Sequence, residues 1–355
     1  MRKLNVAVIG QGRSGKNIHG KYFESELNTK FVVKYVVDKS PERRKIAEET
    51  YNCKTFADYT ELFGIDDIDI VVNASYSEMH YPITKDLLAH KFNVLCEKPM
   101  ARTLFEAEDL LRTAKESGAL IAIFQQSLLA PNFVKIKECI ERGIIGEPKV
   151  VKFRNNSLSR RWDWQTLQKK VAGSVYNTGP HPIGQAMDIL GFGDDIKVEF
   201  SKLDCALTSG DANDIAKIIL SAPGKPICDI EINSADPLSD YAIKVVGTRG
   251  AIKVSNVKAW GKYIVDGENE ERPVQEEFIH DGEFHPIYCG EQLNVHDFEE
   301  EITASVFKES TGAVYENLYD VIVNGAELFV DPAKIAKLVG VLEKIHVDNP
   351  LPRKF

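Results

Sequence analysis

The stretch LNVAVIGQGRSG, residues 4–15, decides the fold, because it joins an apolar run of β-forming residues directly to a glycine-rich turn. Gly10, Gly12 and Gly15 form the pattern GxGxxG, and a helix-compatible segment follows from about residue 16 to 27. Such glycines permit a tight turn and let a pyrophosphate approach the N-terminus of the helix. The motif alone is weak, since glycine turns between a strand and a helix also arise from packing.

An acidic residue after the next strand strengthens this interpretation. The run FVVKYVVD ends at Asp38, whose carboxylate can accept hydrogen bonds from the hydroxyls of an adenosine ribose. The sequence therefore predicts a dinucleotide site. Besides Asp38, its predicted cofactor contacts in the turn are Gly10, Gly12, Arg13, Ser14 and Gly15.

The same aspartate bears on the choice of cofactor. Its carboxylate would repel a 2′-phosphate, whereas Lys39 and Arg43 nearby would attract one. We predict NAD, with NADP the less favoured alternative. Arg43 and Arg44 also have an ordinary interpretation as part of a solvated helix face in PERRKIAEE, which mixes both signs of charge.

Strand-like and helix-like segments continue to alternate up to about residue 125. After Asp38 they are a helix at 40–51, a strand at 69–74, a helix at 79–90, a strand at 93–96, a helix at 103–117 and a strand at 120–124. This alternation is typical of a parallel sheet covered by helices. We predict a dinucleotide-binding α/β domain over residues 1–125.

The pattern changes after residue 125. One helical stretch leads into several alternating runs, among them KVVKFRNN, IAKIILSA and YAIKVVGT, separated by glycine turns. These features favour a second α+β domain over residues 126–355 with a large open, mainly antiparallel sheet. Helical patterns return at about 292–309 and 332–346, and we expect the ligand cleft between the two domains.

Composition excludes several classes of protein. The chain has 355 residues and a net charge of −9, so polyanions such as nucleic acids are repelled on average. No run is long and apolar enough for a membrane span, and the N-terminus lacks the pattern of a signal peptide. We predict a cytoplasmic protein without a structural metal or disulfides, because its cysteines show no paired spacing. They are Cys53, Cys96, Cys139, Cys205, Cys228 and Cys289.

A second motif is the run LCEKPMARTLFEAEDLL. Glu97, Lys98 and Pro99 close a strand at the carboxyl edge of the predicted sheet, where ligands of open α/β sheets bind. A lysine at a strand end is often an ordinary surface charge. Here its ammonium would lie on the nicotinamide side, where it can stabilise a developing alkoxide.

The third motif, NTGPHPIGQAMDILG, spans residues 177–191 and places His181 between two prolines. A structural histidine and a proton carrier are both compatible with this position. Because His181 precedes a proline, its backbone is biased away from helical geometry, and we expect the helix to begin at or after Pro182. The prolines would then hold the imidazole toward the cleft.

Together the three motifs resemble those of the Gfo/Idh/MocA oxidoreductases, and the resemblance extends over nearly the whole chain, including HYPITKDLLAHKFNVLCEKPMA and YAIKVVGTRGAIKV. It implies an N-terminal Rossmann domain with a parallel sheet, a C-terminal domain with a large open antiparallel sheet, a tightly held nicotinamide cofactor and substrates that are sugars, polyols or their derivatives. It also implies that Lys98 and His181 face the reacting carbon.

Two positions depart from the family pattern. Members often carry an aspartate four residues before the histidine and another three residues after it, whereas this chain has Asn177 and Gly184. An aspartate there would stabilise a protonated imidazole. We therefore expect Asn177 to orient His181, or a substrate hydroxyl, through hydrogen bonds without adding a charge.

The predicted reaction is hydride transfer between a secondary alcohol carbon and the nicotinamide, with His181 as general base and Lys98 stabilising the oxyanion. The run SRRWDWQ suggests a sugar-binding wall, because aromatic faces suit the C–H side of a pyranose; a loop pinned by two core tryptophans is the alternative. Its predicted substrate contacts are Arg160, Arg161, Trp162, Asp163 and Trp164. Further cofactor-edge positions are Asn73, Ser75, His80, Glu97, Lys98 and Gln125, of which His80 also suits a packing role.

Three functions remain open at this point. The first is an NAD-dependent sugar or polyol dehydrogenase. The second is a glycoside or sugar oxidoreductase that keeps NAD bound and recycles it with a second sugar. The third is a non-catalytic NAD-binding regulator, against which the presence of both Lys98 and His181 argues. A large open sheet with an uncovered face also predicts a homo-oligomer.

Overall fold

The computed structural model describes residues 2–288 and 290–355, and its first sheet is built as the glycine motif predicts. Its strands are β1 (Leu4–Ile9), β2 (Phe31–Val37), β3 (Lys54–Phe56), β4 (Ile70–Asn73), β5 (Val94–Glu97) and β6 (Ile121–Phe124). They are parallel and lie in the order β3-β2-β1-β4-β5-β6. The predicted parallel sheet is confirmed, with the short strand β3 as an addition at its edge.

Helices cover this sheet, and their ends follow local sequence signals. The helices of this part are α1 (Lys21–Phe23), α2 (Pro41–Tyr51), α3 (Ser77–Ala89) and α4 (Leu104–Ser117). Thr103 caps α4 by accepting the N–H of Glu106, and Gly118 ends it in the left-handed conformation. The helix predicted at 16–27 is shorter, because its first part is a π-helical turn at Gly15–Gly20 and α1 ends at Phe23.

The second sheet is large and mostly antiparallel, as predicted. Its strands are β7 (Pro148–Asn156), β8 (Lys197–Asp204), β9 (Ile215–Ser221), β10 (Ile227–Asn233), β11 (Ile243–Gly247), β12 (Gly250–Val254), β13 (Lys258–Tyr263) and β14 (His296–Glu301). Their order is β14-β13-β12-β11-β7-β10-β9-β8, with β7 and β10 parallel at the centre. One face packs on the helices α5 (Pro131–Glu141), α6 (Ser174–Asn177) and α7 (Pro180–Leu190).

The helix predicted at about 292–309 is wrong. This region contains β14 and a second π-helical turn at Phe307–Gly312, which leads into α8 (Ala313–Asn324). Its acidic residues are good helix formers, but in the structure they oppose the lysines of β13. Lys258 pairs with Glu299 at 3.1 Å across the two strands. Cross-strand charge complementarity therefore overrides the local helix propensity.

Two late helices tie the second part of the chain to the first. In α8, Tyr315, Leu318 and Tyr319 pack in one core with Leu4 and Phe31 of the parallel sheet. The predicted helix at 332–346 is confirmed as α9 (Pro332–Asp348), which packs against α4 and α7. The division after residue 125 stays a prediction, and α8 shows that a distant segment shares the core of the first sheet.

Three expected absences concern disulfides, membrane-spanning helices and metal sites. In the described part of the chain, Cys53, Cys96, Cys139, Cys205 and Cys228 are free thiols, whereas Cys289 lies outside it. Among the residues that the structure describes, none of the helices has the length and apolarity to cross a bilayer. The same residues contain no cluster of side chains suited to a metal ion.

Candidate active site

The glycine turn leaves one side of the backbone open. Gly10 has φ +91°, and a Cβ atom there would lie 2.5 Å from the carbonyl oxygen of Ala74. A Cβ atom at Gly15 would overlap the carbonyl oxygen of Gly10, so these two glycines close the turn onto itself. A Cβ atom at Gly12 would meet nothing within 4 Å. Gly12 is therefore where a pyrophosphate can approach the backbone closely.

Asp38 is fixed beside this turn. Its Oδ2 accepts the main-chain N–H of Gln11 at 2.7 Å, and its Oδ1 accepts that of Ser40 at 2.9 Å. The guanidinium of Arg43 lies 3.7 Å from the carboxylate and is half exposed. Arg44 instead donates to the main-chain oxygens of Asp38 and Lys39. The open glycine and the oriented carboxylate fit the pyrophosphate and ribose of NAD.

The polar residues after β4 form a buried network. The Asn73 amide donates to the His80 carbonyl oxygen and to the Thr84 hydroxyl, and its oxygen accepts the Ser75 hydroxyl at 2.7 Å. His80 is 2% exposed, and its Nδ1 lies 2.7 Å from the carbonyl oxygen of Pro99. His80 thus connects the end of β4 with the segment after β5. This is the packing role left open for it, and a cofactor contact for Asn73, Ser75 or His80 stays a prediction.

Lys98 lies between the two parts of the chain. Its Nζ donates to the main-chain oxygen of Asn177 at 2.6 Å. Burial lowers the pKa of its ammonium, and the nearby positive charges of Arg13 and Arg161 lower it further, while Glu97 acts in the opposite direction. The structure therefore brings Lys98 and Arg13, both predicted for the first part of the site, together with residues of the second.

Asn177 makes different contacts from those expected. The side-chain amide of Asn177 donates to the main-chain oxygen of Gln165 at 3.1 Å rather than to His181. The main-chain carbonyl oxygen of Asn177 accepts from Lys98. No hydrogen bond joins Asn177 to His181 in the described structure, and a role for Asn177 in orienting the imidazole or a substrate hydroxyl stays a prediction. Its position at the end of α6 makes it a partner of the lysine instead.

The helix that carries His181 begins earlier than predicted. It starts at Pro180, and Pro182 falls in its first turn, where a missing N–H costs no intrahelical hydrogen bond. The Nδ1 atom of His181 is buried without a hydrogen-bond partner among the described residues. Burial and then the charge of Lys98 lower the pKa of His181 to about 3. The imidazole is therefore neutral at physiological pH.

Gln125 explains why position 184 is glycine. The Gln125 amide donates to the Pro180 carbonyl oxygen at 2.5 Å and to the Ser127 hydroxyl at 3.0 Å. A Cβ atom at Gly184 would lie 3.1 Å from Gln125 Nε2 and 3.3 Å from Leu338 Cδ2. The glutamine therefore occupies the space beside α7 that an aspartate would need. Contact of Gln125 with a cofactor stays a prediction.

We expect Gly184→Asp to destabilise the protein by about 2 kcal/mol or more, because it overpacks α7 and buries an unpaired carboxylate. Urea unfolding of the variant and of the wild type measures this difference. The double variant Gly184→Asp/Gln125→Ala should lose less stability than the sum of the two single changes. Strict additivity would contradict the assigned contact.

A polar cavity of about 500 Å³ lies beside His181. It lies between α7, the end of β7 and the segment before β11, and three atoms of its lining residues are buried without a partner in the described structure: Gln126 Oε1, Asn156 Oδ1 and His181 Nδ1. Other lining residues are Ser127, Asn132, Arg154, Asn155, Gln185, Asp240, Tyr241 and Asn256. Such a cavity suits a small ligand rich in hydroxyl groups.

Sequence reasoning missed this wall except for His181. The adjacent asparagines at the end of KVVKFRNN were a usable signal, because a strand end is a common place for ligand-binding amides. The segment at 239–241 carries no comparable pattern. It joins the cavity only because β11 pairs with β7.

The SRRWDWQ segment lies outside the lining of this cavity. Trp162 is 77% exposed, so the alternative of two core tryptophans is wrong. Trp164 packs edge-on against Tyr76, with ring centroids 4.9 Å apart. Arg161 pairs with Asp163 at 2.7 Å, and Arg160 is exposed. A substrate contact for Arg160, Trp162 or Trp164 stays a prediction.

The fold is that of an NAD-binding oxidoreductase. A profile described as "Oxidoreductase family, NAD-binding Rossmann fold" matches residues 4–125, and one for the GFO/IDH/MocA C-terminal domain matches residues 133–253. The chain belongs to the GFO/IDH/MocA oxidoreductase family, as its motifs predicted.

Individual relatives agree with this assignment. An uncharacterized oxidoreductase of Schizosaccharomyces pombe is 30% identical over 54% of this chain and 53% of its own length, so the matched segment spans about half of that protein. The 2,7-anhydro-N-acetylneuraminate hydratase of Mediterraneibacter gnavus is 23% identical over 83% of this chain and 78% of its own length. The crystal structure of an NAD-binding protein from Listeria innocua shares the fold, with a TM-score of 0.79 at 20% identity and 98% of each chain covered.

Proposed function

We propose that the protein transfers a hydride between a secondary alcohol carbon of a sugar, polyol or glycoside and NAD. The observation that carries the proposal is the polar cavity of about 500 Å³, which His181 lines together with residues whose side chains can bind hydroxyl groups, among them Gln126, Asn156 and Gln185. A concave site lined by several amide and hydroxyl side chains suits a small ligand that carries hydroxyl groups.

His181 is assigned as the general base. A neutral imidazole can accept the hydroxyl proton, and the lowered pKa keeps it neutral over the physiological range. Neither family aspartate stands beside it to stabilise an imidazolium, because Asn177 and Gly184 occupy those positions. Alcohol oxidation is the direction in which this base must begin unprotonated.

Lys98 is assigned to the oxygen of the reacting carbon. Its ammonium is held by the Asn177 carbonyl oxygen, so it is oriented before any substrate binds. A positive charge in a partly buried site stabilises a developing alkoxide more strongly than it would in water. When bound, NAD supplies the hydride-accepting chemistry, and Asp38 with the turn around Gly12 would hold it.

A second candidate function is a glycoside or sugar oxidoreductase that keeps NAD bound and recycles it with a second sugar. One observation favours it: the relative from Mediterraneibacter gnavus is named as a hydratase, and hydration involves no net redox change. The same His181 and Lys98 would serve either version. A cytoplasmic homo-oligomer remains our expectation for both.

An anaerobic screen tests the proposal. Purified protein with NAD is mixed with inositols, aldoses and glycosides, and the absorbance of reduced nicotinamide is followed. We expect substrate-dependent NADH formation with at least one hydroxylated compound. Oxidation that occurs only after an oxo-sugar acceptor is added, without release of NADH, would support the second candidate, and no reaction with any pair would contradict both.

A further inference from the structure

A buried chain of three polar side chains ends next to Lys98. The Tyr315 hydroxyl lies 2.7 Å from Nδ1 of His19, and Nε2 of His19 lies 3.3 Å from Oε1 of Glu97. The second carboxylate oxygen of Glu97 accepts the main-chain N–H of Lys98 at 3.1 Å. The chain thus runs from α8 to the strand end that carries the lysine.

The three side chains are shielded from water. His19 and Tyr315 are 0% exposed and Glu97 is 3% exposed. His19 lies in the π-helical turn that follows the GxGxxG glycines, and π-helical turns are frequent at functional sites. Tyr315 is fixed by stacking on Tyr22, with ring centroids 4.1 Å apart. Such a buried set of ionisable groups is costly unless its members satisfy one another.

The proton positions follow from burial. Burial raises the pKa of Tyr315 well above its ordinary value, so its phenol keeps its proton. When the phenol donates to Nδ1 of His19, a ring proton lies on Nε2, which faces Glu97. Nε2 of His19 and Oε1 of Glu97 are in polar contact at 3.3 Å without a hydrogen bond in this arrangement, while the tyrosine holds the other ring nitrogen.

We propose that Tyr315 and His19 are positioning residues that hold Glu97 as a carboxylate beside Lys98, and that Glu97 in turn keeps Lys98 protonated for its role. This proposal rests on the function proposed above for Lys98. It gives the helix α8, which packs on the parallel sheet, a direct connection to the reacting site.

The charges around Glu97 support this assignment. Burial by itself raises the pKa of Glu97, but His19 from the π-helical turn, the adjacent Lys98 and His80 from α3 together lower it to about 2. Without His19 the burial is less compensated, so the carboxylate either takes up a proton or turns toward water. Either change removes the negative charge beside Lys98. The positive charges of Arg13 and Arg161, which lower the pKa of this lysine, then act without that compensation.

The test measures Lys98 directly in NAD-free protein. Acetic anhydride labels only the neutral amine, and mass spectrometry of the Lys98 peptide at several pH values gives the pKa of this lysine. We expect Glu97→Gln to lower that pKa by about one unit, which raises the labelling rate below the pKa about tenfold. His19→Leu should act in the same direction, and His19→Gln, which retains a donor, should act less.

A matched pair of tyrosine variants measures the contribution of Tyr315 to the pKa of Lys98. Tyr315→Phe removes the hydroxyl that contacts His19, and we expect Lys98 labelling to rise about threefold. Tyr22→Phe removes the adjacent stacked hydroxyl, which has no hydrogen-bond partner in the described structure, and should leave labelling unchanged. Equal effects of the two tyrosine variants, or an unchanged Lys98 pKa in folded Glu97→Gln, would overturn the proposal.

The readout separates this proposal from the proposed function. Labelling needs neither substrate nor turnover, so a failed substrate screen leaves its result intact. If the variants lose thermal stability while Lys98 titrates as in the wild type, the three residues have only a structural role and the proposal is wrong. A shift of the Lys98 pKa in a protein that transfers no hydride would support the chain of contacts and contradict only the reaction.

Discussion

Replacing His181 by alanine is expected to lower kcat by about 100-fold or more, because the site loses the base that accepts the hydroxyl proton. The Kd for NAD should stay at the wild-type value, since the glycine turn and Asp38 are untouched. Steady-state kinetics on the substrate found by the screen, with NAD binding measured by fluorescence titration, checks both expectations.

His285→Ala is a suitable control for this experiment. The His285 side chain is 68% exposed and lies in the segment between β13 and β14, outside the cavity lining. Its removal should leave kcat unchanged. If His181→Ala instead lost stability and activity in proportion, the histidine would be structural, which is the alternative that its place between two prolines first suggested.

The lowered pKa of His181 also predicts how kcat/KM depends on pH. The imidazole is deprotonated above about pH 3, so acidification from neutral pH toward pH 5 should not remove the base. A fall of kcat/KM on that side would then require another group. This behaviour contrasts with a histidine beside an aspartate, whose protonated form would be stabilised.

The parts of the fold that follow local rules were predictable from the sequence. The turn after β1, Asp38 after β2 and Lys98 after β5 each stand at a strand end that the apolar pattern marks, so their meeting at one sheet edge could be inferred. Asn177 could not be placed in this way. Its contact with Lys98 joins the end of α6 to the residue after β5, and no pattern within either segment encodes that contact.

Other features depended on pairing between distant segments. The acidic run of β14 has the composition of a helix when it is considered alone. It forms a strand because Lys258 and its neighbours in β13 supply the opposite charges. His19 was overlooked because the π-helical turn adds a residue to the first helix, and nothing in GKNIHG indicates that the ring faces Glu97. The cavity wall likewise joins Asn156 to residue 241 through strand pairing alone.

Replacing Lys98 by methionine is expected to lower kcat by about 100-fold to 1,000-fold, because the oxyanion loses its positive partner while the volume of the side chain is nearly kept. Methionine cannot donate to the Asn177 carbonyl oxygen, so that contact is lost with the charge. Turnover and NAD binding are measured on the same preparation. A non-catalytic regulator would bind NAD without turnover in either protein.

Lys98→Arg is the informative companion variant. It keeps the positive charge but replaces a compact ammonium by a planar guanidinium, which cannot occupy the same narrow position beside Asn177. We expect it to recover only part of the activity. Lys98 also contributes to the low pKa of His181, so Lys98→Met should raise that pKa while burial still holds it below its ordinary value. If Lys98 and His181 act as one electrostatic unit, the acid limb of the kcat/KM profile should move to higher pH in Lys98→Met. In Lys98→Arg the limb should stay near its wild-type position. Identical pH profiles in all three proteins would contradict a contact between the two residues.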